Sequence, residues 1–220
     1  MEQSKDKLSP DQVLDAGLDD WRRLAQALHA RFETGSFTKG LAFVTAITEA
    51  AESANHHPDV TLTYPLVDVK LLSHDVGGIT QRDVDLARQI SAIARDQGIS
   101  SDPSAPTVLE LALDTADKDR IGPFWAALLT GDAGNLDGVD VVDKSGRVPL
   151  LWFQGTDRHD EPRQRFHVDL WVPHDVAEDR IAAALAAGGT LVDESEKPSF
   201  VVLADADGNK ACVCTMLDRA

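Results

Sequence analysis

Mixed helix and strand patterning predicts a chain folded in two parts, and three observations carry that reading. Residues 1–98 place helical apolar spacing on both sides of a segment that alternates like a β-hairpin. The stretch Gly98-Ile-Ser-Ser-Asp-Pro-Ser-Ala-Pro-Thr107 is rich in Pro, Ser and Gly and reads as a linker over 99–106. Residues 107–220 write one pattern, strand then helix then strands, twice. The predicted domains are therefore 1–98 and 107–220.

The elements follow in order. Ser9-Pro10-Asp11-Gln12 is a helix start, with Ser9 as N-cap and Pro10 at the first helical position. Residues 21–34 fit a helix through Trp21, Leu24, Ala25 and Leu28, and a strand through Leu28, Ala30 and Phe32. Phe43, Ile47, Ala50 and Ala54 mark one face of a helix running to about Ser53. Val60/Leu62/Tyr64 and Val67/Val69/Leu71 alternate around Pro65, which predicts a hairpin. Thr80-Gln81-Arg82-Asp83 has capping-box form, and Leu86, Ile90, Ile93 and Ala94 carry that helix to Gly98. In the second half, Leu109–Asp114 and His167–Val172 read as strands, each followed by a helix (Lys118–Leu129 and Ala177–Ala187). Further strands are expected around Val139–Val142, Leu150–Phe153, Phe200–Ala204 and Ala211–Met216.

Composition narrows the function classes. Apolar residues make up 43 % and charged residues 26 % of 220, which is globular composition. The net charge of −16 divides as −5 over residues 1–100 and −11 over the rest. Such a field repels phosphate backbones, which argues against nonspecific nucleic-acid binding. No apolar run approaches the ~18 residues of a membrane span. The start, MEQSKDKLSPDQ, lacks the apolar segment of a signal peptide. Cys212 and Cys214, two apart on a strand, would face the same way, a poor geometry for pairing with each other. A reduced, cytoplasmic setting fits them.

Chemistry concentrates between Glu52 and Asp83. His56, His57 and His74 fall within nineteen residues of a chain that has seven histidines. The hairpin brings its two outer ends together, so the three are expected to converge. Glu52, four residues before His56, can face the same corner if the helix persists. Imidazoles that titrate near neutrality suit proton exchange with one small substrate. Adjacent histidines on extended chain point to opposite faces, which disfavours a shared metal. Asp83 has an ordinary role as a cap.

The pattern E-x3-H-H-P-x5-Y-x9-H-x8-D, from Glu52 to Asp83, resembles the signature of pterin-4a-carbinolamine dehydratases. The similarity covers roughly residues 8–97. It implies an α+β fold in which helices cover one face of a four-stranded antiparallel sheet, and so two strands within 21–34. It implies a hydro-lyase that removes water from 4a-hydroxytetrahydropterin to give quinonoid dihydropterin, a recycling step for tetrahydrobiopterin-type cofactors. No metal or organic cofactor is implied, and a homo-oligomer is. The implied acid/base residues are His56, His57 and His74, with Glu52 orienting one of them. Asn55, His56, His57, Ser73, His74, Asp75 and Asp83 are implied to line the pterin pocket. Asn55 departs from an aspartate common in the family.

The second half resembles the glyoxalase-like branch of the vicinal-oxygen-chelate superfamily, which implies a paired βαβββ domain. The carrying residues are Leu113–Asp117 with Phe124-Trp125, Leu151-Trp-Phe153, Arg165–Asp169, and Asp205–Asn209 followed by Cys212. Metal-using members bind a divalent ion through His or Glu. Glu110 and His167 match two such positions, and Cys212 replaces the expected glutamate. That set is a poor one for Mg, Mn or Fe(II); zinc could accept Glu, His and Cys, but the expectation is a metal-free pocket or interface. The competing function class is a glyoxalase-like lyase or dioxygenase, or a ligand-binding protein, whose first half serves oligomerisation.

Overall fold

The computed structural model describes residues 5–130, 132–144, 146, 148–158, 166–186, 189–204 and 210–219. Arg165, residues 205–209 and the side chain of Phe124, quoted above, lie outside what is described. The chain divides into two compact units. The first comprises Met1–Thr107, Pro173–Val176 and Met216–Ala220, and the second Val108–Val172 and Ala177–Thr215.

The first unit runs α1 (Pro10–Asp15), β1 (Arg22–Leu24), β2 (Ala27–Glu33), α2 (Phe37–Ala54), β3 (Asp59–Leu62), β4 (Leu66–Leu71), α3 (Gln81–Asp96) and β5 (Ser100–Ser101). Ser9 caps α1 through a full capping box with Gln12. The strands pair antiparallel in the order β1-β2-β4-β3. That is the expected four-stranded sheet, and it settles residues 21–34 as two strands.

Period-two alternation decides which face is covered. Leu28, Ala30 and Phe32 of β2 and Val67, Val69 and Leu71 of β4 are buried against Phe43 and Ile47 of α2 and Leu86 and Ile90 of α3. Arg31 and Asp68, one position out of step, form a half-exposed ion pair on the other face. Phe32 stands edge-on to Phe43, with ring centroids 5.0 Å apart. The Trp21 indole donates to Ser91 Oγ at 3.0 Å.

The expected linker begins later than its composition suggests. Ile99 is buried in the core, and Ser100 and Ser101 pair with Glu33 and Phe32 as a fifth strand. Residues this short and polar give no period to read.

The second unit is β6 (Val108–Thr115), α4 (Lys118–Thr130), β7 (Leu136–Asp137), β8 (Asp140–Val141), β9 (Leu150–Gly155), then β10 (Phe166–Trp171), α5 (Ala177–Ala186), β11 (Thr190–Asp193), β12 (Phe200–Ala204) and β13 (Lys210–Cys214). This is βαβββ written twice. Its eight strands form one sheet in the order β11-β12-β13-β10-β6-β9-β8-β7. In each half the first strand runs parallel to the last, and the two first strands meet antiparallel at the centre. Periodicity did not mark β7 and β11, because the first has two residues and both are exposed throughout. Helix α4 packs through Ile121, Trp125 and Ala126 on Leu111, Leu113, Leu151 and Phe153. Glu110, Ala112, Asp114 and their cross-strand neighbours therefore occupy the opposite face.

Phe43 is wholly buried between β2 and the helices. Phe43→Ala is expected to cost about 3–5 kcal/mol, the usual loss for a fully buried aromatic. Urea unfolding of the full chain measures it, and a loss below about 1 kcal/mol would contradict this core assignment.

Candidate functional site

The site in the first unit is built where α2 ends and α3 begins. Helix α2 stops at Asn55, whose backbone is left-handed (φ 47, ψ 42). Asn55 N–H donates to Glu52 O, and His56 N–H reaches back to Ala51 O, both at 3.1 Å. These are the two bonds of a Schellman turn, and asparagine is among the few residues other than glycine that adopt its left-handed position readily. That requirement gives Asn55 a structural reason independent of any ligand.

Past this turn the two histidines part. His56 is buried and His57 is exposed. His56 Nε2 lies 2.7 Å from Asp83 Oδ1. Asp83 has no exposed surface. Its Oδ2 accepts from Ser73 Oγ at 2.6 Å, from Thr80 N–H at 2.7 Å and from Thr80 Oγ1 at 3.2 Å. Burial pushes the Asp83 carboxyl up, but the bonds from His56, Ser73 and Thr80 outweigh it and hold the group below its ordinary value. With Asp83 ionised, His56 Nε2 carries a proton and donates it.

Asp83 does act as the cap of α3, with Thr80 as N-cap. Asp83 and Ser73, both expected to line a substrate pocket, are buried and hydrogen-bonded to each other. Asp83 positions His56 instead.

The left-handed residue ends the helical spacing, so Glu52 meets His57 and not His56, with Oε1 3.2 Å from His57 Nε2. Both side chains are exposed. His74 is exposed in the turn between Ser73 and Gly78, and its ring makes no hydrogen bond to His56 or His57. Asp75 is held by Arg82 at 2.7 Å and Lys5 at 3.3 Å. Those partners, Arg82 foremost, hold its carboxyl below the ordinary range.

His56 opens on a cleft of about 190 Å3 whose lining includes Ser53, Arg82, Asp85 and Gln89. Sequence reasoning missed Arg82 and Gln89. Arg82 was readable only as the middle of a capping box, and Gln89 lies two turns further along the same helix.

In the second unit the three residues matched to the family's metal positions do not form one cluster among the described residues. Glu110 is buried, and its Oε2 accepts the Trp171 indole N–H at 2.6 Å. The trio whose ligand atoms lie within 4.8 Å of one another is His167, Asp169 and Cys212. His167 Nε2 is 3.1 Å from Asp114 Oδ1, and its Nδ1 is 3.6 Å from Asp169 Oδ1. The Asp169 carboxylate, followed by the Cys212 thiol, raises His167 to about 10 against the opposing pull of burial. Burial pushes the Cys212 thiol up. Trp152 stands edge-on to the His167 ring at 5.7 Å. Neither Cys212 nor Cys214 forms a disulfide.

A family model described as Pterin 4 alpha carbinolamine dehydratase matches residues 6–93, and one described as Glyoxalase-like domain matches residues 110–214. A Thermosynechococcus vestitus protein named for pterin-4-alpha-carbinolamine dehydratase is 43 % identical over 79 residues, spanning 36 % of this chain and 83 % of that protein. A Nocardia farcinica protein of the same name is 41 % identical over 90 residues, spanning 40 % of this chain and 95 % of that protein. Among solved structures, a transcriptional coactivator/pterin dehydratase from Brucella melitensis aligns with TM-score 0.39 and 30 % identity, over 40 % of this chain and 99 % of that one. No helix among the described residues is long and apolar enough to cross a membrane.

The buried Asp83 contact makes a pH-dependent prediction. A carboxylate whose folded pKa is depressed contributes stability that is complete above its unfolded pKa of about 4 and drains away as pH falls through the folded value. Asp83→Asn is expected to lose about 1–3 kcal/mol at pH 7, because the amide that replaces this buried carboxylate cannot accept from His56, Ser73 and Thr80 together. The variant should also lack part of the acid sensitivity expected of wild type below pH ~4. Urea melts at pH 7 and pH 3 test this, and parallel pH dependence in both proteins would mean that Asp83 contributes none of it.

Proposed function

The chain belongs to the pterin-4a-carbinolamine dehydratase family and carries a glyoxalase-like domain behind that part, and on this premise we propose that its first unit dehydrates a 4a-hydroxytetrahydropterin. The observation that carries the reading is the buried His56–Asp83 pair opening on a cleft, one residue away from the solvent-facing His57–Glu52 pair.

The reaction needs two proton transfers. Hydroxide is a poor leaving group, so the C4a oxygen must gain a proton as the C–O bond breaks and water departs. A ring-nitrogen lone pair forms the new C=N bond, and the nitrogen-bound proton must go to a base. Histidine is the side chain that both gives and takes protons near neutrality.

The two histidines suit different halves of this. Asp83 accepts a hydrogen bond from His56 Nε2–H, which leaves the ring's lone pair on Nδ1. A fixed carboxylate behind the ring stabilises the imidazolium once a proton has been accepted, as the aspartate does in a catalytic triad. His56 is assigned as base. His57, beside the Glu52 carboxylate and open to solvent, is assigned as the acid that protonates the leaving oxygen and is recharged from water. His74, exposed on the neighbouring turn, is assigned to substrate contact. Arg82, fixed by Asp75, presents N–H donors to polar edges of the ring system.

Turnover of enzymatically generated 4a-hydroxytetrahydropterin by the full chain is the direct test. His56→Ala and His57→Ala are each expected to lower the rate roughly 10²–10⁴-fold, the usual worth of a positioned acid or base. Asp83→Asn should lower kcat more than it raises KM, because it acts on the substrate only through His56. Unchanged rates in both histidine variants, with folding intact by circular dichroism, would remove the dehydratase assignment and leave the oligomerisation reading of this unit.

A further inference from the structure

The sheet of the second unit carries a compact donor set on the face away from α4. Asp169 of β10 and Cys212 of β13 are paired residues of a parallel ladder. His167 lies two positions before Asp169, so its side chain leaves the same face. One nitrogen, one carboxylate and one thiol thus lie within 4.8 Å of one another.

Two further observations point to a cation among them. Asp169 is 9 % exposed, and its Oδ1 is buried without a hydrogen-bond partner, facing His167 Nδ1 at 3.6 Å. A buried carboxylate oxygen left unpaired is costly, and a bound cation is one of the few groups that relieves it. Behind the ring, Asp114 accepts from His167 Nε2 at 3.1 Å. The same ring's Nδ1 faces Asp169, and release of its proton to solvent would free that nitrogen for a metal. A carboxylate behind the distal nitrogen is the usual support of a metal-binding histidine.

We propose that the second unit binds a zinc ion through His167, Asp169 and Cys212, with Asp114 orienting His167 and Glu110 outside the coordination sphere. The donor chemistry selects the ion. Oxygen-preferring Mg and Mn gain little from a thiolate, whereas zinc takes nitrogen, sulfur and carboxylate oxygen together. Binding forms Zn–N, Zn–O and Zn–S bonds. The Cys212 thiol proton and any proton on the His167 lone pair pass to solvent. Zinc at its ordinary bond lengths holds ligand atoms roughly 3.3–3.8 Å apart, so the set must close by about an ångström. Three protein ligands leave the fourth tetrahedral position for water or a small oxygen ligand. Glu110 stands opposite Asp169 in the β6–β10 ladder, but its carboxylate is committed to Trp171.

The experiment uses the full chain, stripped with chelator and reloaded with zinc, magnesium or manganese, then gel-filtered and analysed for metal. Cobalt(II) titration adds a thiolate-to-cobalt charge-transfer band as a signature of sulfur ligation. Wild type and Glu110→Gln are both expected to retain about one zinc per chain and to show the band. Asp169→Asn should lose stoichiometric zinc. Cys212→Ser should lose the band, and Asp114→Asn should weaken binding about 10–100-fold. Circular dichroism of each variant separates metal loss from unfolding. The proposal is overturned by zinc at background in folded wild type, by retention of magnesium or manganese in preference to zinc, or by a missing charge-transfer band. It is equally overturned if Glu110→Gln loses zinc while Asp169→Asn keeps it.

Discussion

A carboxylate with no exposed surface must find all its hydrogen bonds inside the protein or lose its charge. Asp83 finds them on three separate pieces of chain: His56 after α2, Ser73 at the start of a turn, and Thr80 at the head of α3. Each piece is placed by other forces. Helices α2 and α3 are seated by their apolar stripes on the sheet, and the turn closes through Ser73 and Gly78. The Asp83 contact then converts that rough placement into a defined ring orientation for His56. The capping box and the histidine support share one side chain, so the helix start and the candidate base have a common anchor.

Much of the first unit was legible because its signals are local. Ser9 with Gln12, Thr80 with Asp83, and the alternation of β3 and β4 each depend on residues a few positions apart. The dehydratase-like pattern marked the segment from Glu52 to Asp83 in which these contacts lie. What sequence spacing misjudged were directions of side chains beyond the regular elements. Glu52 and His56 are one helical turn apart in number, yet Asn55 turns the chain before that spacing acts. Asp83 and Ser73 have the chemistry of ligand contacts, and only the packed structure shows them spent on each other. In the second unit the pattern matched Glu110 by position, while Trp171 claimed it by a hydrogen bond across the ladder. A pairing of that kind depends on strand register, which no local signal encodes.

The second unit shows what duplication of a small motif builds. Each βαβββ half ends beside its own beginning, and the two halves join through their first strands. The joining strands are thus the most central in the sheet, and polar residues on them lie far from any edge. His167, Asp169 and Asp114 all sit on this central pair, with Cys212 on the next strand. Half-burial of so many titratable groups at the middle of a sheet is costly for packing alone, which is why that face reads as a site and α4's face as core.

The left-handed turn at Asn55 sorts two chemically identical neighbours into different solvents. Before the turn the chain follows a helix, and after it successive side chains alternate. His56 therefore goes into a buried corner beside the cleft and His57 into solvent. Interactions of one ring are strengthened by burial, and those of the other are screened by solvent. A single backbone conformation thereby turns a repeated letter in the sequence into an unlike pair, one imidazole insulated and one earthed to the bulk.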